Sequence, residues 1–90
     1  MKRVHLIISG RVQGVFYRYS TKQKAEQLGI KGWVRNLSNG NVEALLEGDE
    51  KNINEMISWC KKGPEHSDVT NIELISEKPI NEFEDFKILR

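Results

Sequence analysis

Apolar residues alternate with other residues in several short runs of the chain, the pattern of strands that bury one face. Val4, Leu6 and Ile8 form the first of these runs. Between the second and third runs, the Asn39-Gly40 pair favours the tight turn of a hairpin. The predicted strands comprise residues 3–9, 30–36, 42–47, 69–77 and 86–88.

Two other runs repeat their apolar residues at helical spacing, so that one stripe of each faces a core. The first helix is predicted over 16–28, and Gly29 is suited to end it. The second helix is predicted to open at Asp49 and to end at Gly63. Cys60 belongs to its apolar stripe and is therefore predicted to be a buried apolar residue.

The order of these elements, β-α-β-β-α-β with a short extra C-terminal strand, predicts an α+β fold of the ferredoxin-like class. In this βαββαβ sandwich, an antiparallel sheet carries both helices on one face. Residues 1–90 are expected to form a single domain with a modest core. Because the third strand lies between the first two, the carboxyl ends of strands one and two are expected to lie roughly 10 Å apart.

Charge is balanced overall but uneven along the chain. The formal net charge is +1, which argues against broad binding to nucleic acid. Residues 1–42 nevertheless carry eight basic side chains and a single carboxylate, Glu26, so a small anion would meet a favourable field there. No apolar segment approaches the roughly 20 residues of a membrane span, and a single cysteine excludes an internal disulfide. A cytoplasmic, monomeric protein is expected.

The stretch from Ser9 to Arg18 joins the first strand to the first helix and contains Gly10 and Gly14. Backbone N–H groups at such a turn have no partner within the helix, and with the positive end of the helix dipole they suit an anion. Arg18 lies in the first turn, where a cation is unfavourable unless an anion lies between it and the amides. The stretch therefore predicts a phosphate cradle, although glycines that only shape a turn, beside a solvated arginine, fit it equally well.

Asn36 ends the second strand and is expected at the same end of the sheet as this loop. No carboxylate lies in the loop, and the chain has no Asp-x-Asp and no cluster at metal-ligand spacing. Arg18, loop amides and Asn36 could still stabilise phosphoryl transfer to water, because the transition state is loose. A leaving group that needs no protonation suits such a site, so an acyl phosphate fits and a sugar phosphate fits poorly.

Two motifs closely resemble those of acylphosphatases: Gly10-Arg11-Val12-Gln13-Gly14-Val15-Phe16-Tyr17-Arg18, and Gly32-Trp33-Val34-Arg35-Asn36 followed by Asn39-Gly40-Asn41-Val42-Glu43. The resemblance implies hydrolysis of an acyl phosphate to a carboxylate and inorganic phosphate, with Arg18 binding the phosphoryl group and Asn36 orienting the attacking water. It implies no metal, no cofactor and no covalent phosphoenzyme, and neither a nucleic-acid nor a membrane partner is expected. The backbone amides implied to bind phosphate are those of Gln13, Gly14, Val15, Phe16, Tyr17 and Arg18.

Two other functions share the predicted topology. An RNA-recognition domain would need aromatic residues on the exposed faces of strands one and three, and neither strand contains one. A non-catalytic ligand-sensing or carrier domain would keep the fold. The pair of Arg18 and Asn36 speaks against that reading, but a fold alone does not separate a sensor from an enzyme.

Overall fold

Five strands and two helices lie along residues 1–89, the part of the chain that the computed structural model describes. Arg90, the last residue of the predicted domain, lies outside the described residues. Each predicted strand and helix is confirmed, with bounds that shift by at most about two residues. The elements are β1 (Lys2–Arg11), α1 (Tyr17–Gln27), β2 (Lys31–Asn36), β3 (Val42–Gly48), α2 (Glu50–Lys62), β4 (Asp68–Glu77) and β5 (Phe86–Ile88).

A single sheet contains these strands in the order β4-β1-β3-β2-β5. The central strand β3 is antiparallel to both β1 and β2, and β4 is antiparallel to β1, as the ferredoxin-like prediction requires. The last strand differs, because β5 pairs in parallel with β2 and places Phe86 opposite Gly32. The short extra C-terminal strand was predicted without a direction, and its parallel pairing makes the five-stranded sheet mixed at this edge. Residues 78–85 carry the chain from one edge of the sheet to the other, so β5 enters in the direction of β2.

The segment that crosses the sheet is held by side chains at the end of β3 and the start of β1. Glu47 is 2% exposed, and its Oε2 accepts hydrogen bonds from the backbone N–H groups of Ile80 at 3.0 Å and Asn81 at 3.2 Å. Arg3 Nη1 lies 3.7 Å from the same carboxylate and 2.9 Å from Glu82 Oε1. These contacts explain how a three-residue strand far along the chain is fixed beside β2.

Both helices bury their apolar stripes in one core against the same face of the sheet. Val4, Leu6 and Ile8 of β1 are fully buried, which confirms the alternation seen in the sequence. The helices are also joined to each other, because the hydroxyl of Tyr17 donates a hydrogen bond of 2.8 Å to the backbone carbonyl of Cys60. Within residues 1–89, neither helix has the length and apolar character needed to cross a membrane.

Replacing Glu47 with alanine is expected to lower the free energy of unfolding by about 3 kcal/mol, because two backbone donors and Arg3 would lose a buried acceptor. Glu47→Gln is the matched control, since an amide oxygen can still accept from Ile80 and Asn81, and it should cost about 1 kcal/mol. Urea unfolding measures both values. Equal losses in the two variants would show that the charge on Glu47, rather than its bonds to the crossing segment, stabilises this end.

Candidate active site

The loop between β1 and α1 has an unusual backbone. Gly14 has a φ of +73° and Phe16 a φ of +62°, so two residues in a stretch of three adopt the left-handed region. Backbone that departs from right-handed geometry in this way turns successive N–H groups toward one concave side and forms anion-binding nests. Val12 and Val15 are buried and anchor the loop to the core.

The amides of this loop have no acceptor among residues 1–89. Among the hydrogen bonds of residues 1–89, none has as its donor a backbone N–H from Gly14 through Tyr19. Phe16, the N-cap residue of α1, makes no side-chain cap bond. The unpaired donors of the loop and of the first helical turn therefore add to the positive end of the helix dipole. This arrangement suits an anion such as a phosphoryl group.

Arg18 projects from the first turn of the same helix. The turn contains no acidic residue, and Arg18 takes part in none of the ion pairs formed within the described part of the chain. A cation at this end of a helix is opposed by the dipole, so a bound anion would relieve an unfavourable interaction. Arg18 lines a surface cleft of about 290 Å³, whose walls also include Gly14, Phe16, Tyr19 and Ile88.

Asn36 is brought to this end of the sheet by strand register. It lies opposite Val42 of β3, which in turn lies opposite Ile8 of β1. Residues directly opposite one another project from the same face of a sheet, and Val42 and Ile8 are fully buried on the helix face. The Asn36 Oδ1 atom is buried and has no hydrogen-bond partner among residues 1–89. Buried acceptors without a protein donor are rare and costly, and they often mark a functional site.

Comparison with known proteins identifies the family. The family model described as Acylphosphatase matches residues 4–88. The chain belongs to the acylphosphatase family. An acylphosphatase of Syntrophus aciditrophicus is 47% identical over 89 residues, 99% of this chain and 93% of the relative. One of Methylococcus capsulatus is 46% identical over 90 residues, 100% of this chain and 98% of the relative. The crystal structure of the acylphosphatase from Bacillus subtilis superposes with a TM-score of 0.96 at 33% identity, over 100% of both chains.

Family membership and fold together support acyl phosphate hydrolysis, and they agree with the activity that the two motifs imply. In this acylphosphatase the two matched motifs meet at one end of the sheet. The loop from Gln13 to Arg18 leaves the carboxyl end of β1, and Asn36 lies at the carboxyl end of β2. The parallel directions of β1 and β2, each paired to β3, bring these ends together.

Gln13 has a role that the sequence did not reveal. Its side-chain Nε2 donates hydrogen bonds to the carbonyl of Leu37 at 2.7 Å and to that of Asn41 at 2.8 Å. These carbonyls belong to the turn that follows Asn36, which is itself closed by a bond of 2.8 Å from Leu37 N–H to Asn41. The resemblance named Gln13 only for its backbone amide. Its side chain ties the loop between β1 and α1 to the Asn36 hairpin, a contact between distant segments that has no local sequence signal.

Two other residues with reactive side chains lie outside this site. Burial raises the pKa of the Cys60 thiol to about 12, which keeps it protonated, and the side chain is fully buried as predicted. His5 Nε2 lies 2.7 Å from Glu43 Oε2. Although partial burial opposes ionisation, hydrogen bonds from His5 and Arg35 hold the pKa of Glu43 below its ordinary value. Within residues 1–89, no group of three or more His, Cys, Asp or Glu side chains could hold a metal ion.

Gln13→Met keeps the length of the side chain and removes both donors to the hairpin. We expect kcat for acyl phosphate hydrolysis to fall by about tenfold or more, because small displacements of a positioned group are costly. The free energy of unfolding should fall by about 1–2 kcal/mol. Gln27→Met, on the exposed side of α1, is the control and should change neither quantity. Loss of stability with unchanged kcat would show that the two bonds matter for folding alone.

Proposed function

We propose that the protein hydrolyses the carboxyl-phosphate anhydride of acyl phosphates by direct attack of a water molecule. The backbone amides of the Gln13–Arg18 loop and the guanidinium of Arg18 bind the phosphoryl oxygens, and Asn36 orients the water. The observation that carries this proposal is the unpaired, buried Oδ1 of Asn36 at the same end of the sheet as a loop of unpaired amides. The unpaired Asn36 Oδ1 can accept a hydrogen bond from a donor such as water, and the unpaired amides suit an anion.

The proposed roles of the loop amides, Arg18 and Asn36 follow from the charges and hydrogen bonds that these groups can offer to the reacting atoms. Phosphoryl transfer spreads negative charge over the oxygens of phosphorus in a loose transition state, so positioned donors stabilise it without covalent chemistry. A planar guanidinium matches two of those oxygens at once. Asn36 Oδ1 accepts a hydrogen bond from the water and thereby directs a lone pair of the water oxygen toward phosphorus.

The leaving group explains why the site can work without a general acid. The water oxygen forms a bond to phosphorus while the bond from phosphorus to the acyl oxygen breaks, and that electron pair stays on a carboxylate. A carboxylate is stable without protonation near neutral pH. The proton lost by the water passes to the phosphate product or to solvent. The absence of any acidic residue from the first turn of α1 is consistent with this chemistry.

Direct attack by water also agrees with the environment of the single cysteine, which is not placed to act as a nucleophile. Cys60, the only cysteine, lies on α2, where it is fully buried in the core with a raised pKa. A thiolate is the reactive form of cysteine, and burial in apolar surroundings suppresses it. Metal independence is part of the proposal and is tested by a chelator below.

The proposal is tested by hydrolysis of benzoyl phosphate, followed by ultraviolet absorbance with excess chelator. Wild-type turnover should be unaffected by the chelator. Asn36→Ala should lower kcat by about a hundredfold, or about 3 kcal/mol, while inhibition by inorganic phosphate stays unchanged. Asn54→Ala, an exposed position on α2, is the matched control and should retain full activity. Full turnover in Asn36→Ala would exclude the water-orienting role.

Arg18 is tested by a substitution that keeps its charge. Arg18→Lys should lower kcat/KM at least tenfold and weaken inhibition by inorganic phosphate, because an ammonium group cannot donate two parallel hydrogen bonds to the phosphoryl oxygens. Arg11→Lys, at the exposed end of β1, applies the same change outside the loop and should leave both measurements intact. If Arg18→Lys behaves like wild type, bidentate binding by Arg18 is wrong.

A further inference from the structure

Phe16 combines a left-handed backbone with an exposed aromatic ring, and folding alone does not explain why both occur at one residue. It adopts a φ of +62°, and its side chain is 77% exposed. A left-handed conformation costs energy for any residue with a side chain, and glycine or asparagine would adopt it more cheaply. The exposed ring contributes little to the core in return. Strain of this kind persists at binding and catalytic sites, where it serves function.

The ring of Phe16 lies on the wall of the cleft that contains Arg18. Two further exposed apolar side chains share that wall: Tyr19 from α1 and Ile88 from β5, which are 56% and 36% exposed. The hydroxyl of Tyr19 accepts a hydrogen bond of 3.0 Å from Gln23 Nε2, which steadies the ring. Three separate elements therefore contribute apolar surface next to one cation.

The position of the cleft relative to Asn36 indicates which part of a substrate it receives. Attacking and leaving oxygens lie roughly in line on opposite sides of phosphorus. Under the proposed function the water is held at Asn36, so the acyl group leaves on the side away from Asn36. Arg18 lines the cleft, and Asn36 is not among its lining residues. An acyl phosphate whose phosphoryl group lies at Arg18 can then extend its acyl group along Phe16 and Ile88.

We infer that the cleft formed by Phe16, Tyr19 and Ile88 binds the acyl group and favours acyl phosphates with an apolar, ring-sized acyl group over short ones. The inference rests on the proposed function, which supplies the orientation of the substrate. A volume of about 290 Å³ lies at the low end of small-molecule sites, which suits one ring rather than an extended chain. Arg18 is the one charged residue among those that line it, so an anionic or cationic acyl group gains no further partner there.

Binding of two unreactive probes, benzylphosphonate and methylphosphonate, tests the inference by calorimetry without turnover. Wild type should bind benzylphosphonate more tightly. Ile88→Ser and Phe16→Asn should each reduce the ratio of the two affinities by roughly tenfold, the effect of removing an apolar contact from a pocket. Asparagine tolerates the left-handed backbone of Phe16, so the loop keeps its shape. Ile75→Ser, a similarly exposed position on β4, is the control and should leave the ratio unchanged.

Kinetics with benzoyl and acetyl phosphate separates this inference from the proposed function. The ratio of their kcat/KM values should fall in Ile88→Ser and Phe16→Asn in parallel with the affinity ratio. Affinity ratios within twofold of wild type in both variants would overturn the inference, even if the enzyme is fully active. A different outcome is that wild type binds benzylphosphonate more tightly, with the affinity ratio reduced in both variants, and yet hydrolyses neither acyl phosphate. That result would support the apolar cleft and refute the proposed hydrolysis.

Discussion

The pairing register of β3 with its two neighbours is the constraint on which the site depends. Ile8, Val42 and Asn36 form one row across β1, β3 and β2. Because side chains alternate between the faces of a strand, a slip of one residue in β2 would turn Asn36 to the face without helices. The burial of Val34 on the helix face of the same strand opposes that slip. The core thus determines where a polar side chain at the rim of the sheet points.

The same end of the molecule concentrates unpaired polar groups. The loop amides from Gly14 to Tyr19 and Asn36 Oδ1 have no partner within residues 1–89, and α1 has no acid in its first turn. The buried Asn36 Oδ1 lowers the stability of the fold when no donor is bound to it. At the opposite end, Glu47 and Arg3 hold the crossing segment through hydrogen bonds and ion pairs. Side-chain contacts thus fix the crossing segment at one end of the sheet, and the unpaired groups of the candidate site lie at the other.

The distribution of charge supports this division. The carboxylates of the central strand β3 are paired with basic side chains: Glu43 contacts His5 and Arg35, and Glu47 contacts Arg3. Such pairing reduces the field that these acids would exert on an anion bound at the loop. Arg18 belongs to the basic excess of residues 1–42 and takes part in none of the ion pairs within residues 1–89.

Local patterns in the sequence were enough to predict the helices, the strands and the fold class, and to identify the two motifs. Alternation and helical spacing arise within a few residues, so they predicted β1 to β4, both helices and the burial of Cys60 from neighbouring residues alone. The glycines of the loop likewise indicated its turn, and Arg18 and Asn36 stood out by type and position.

Tertiary structure decided what depends on contacts between distant segments. β5 runs parallel to β2 because residues 78–85 cross the sheet, and a strand pattern carries no information on the direction of its partner. The bonds of Gln13 reach 24 and 28 residues along the chain. The shared cleft of Phe16, Tyr19 and Ile88 unites a loop, a helix and the final strand. Sequence determined which residues were available for chemistry, and packing determined which of them face one another, because only the folded core fixes distances between segments that are far apart in the chain.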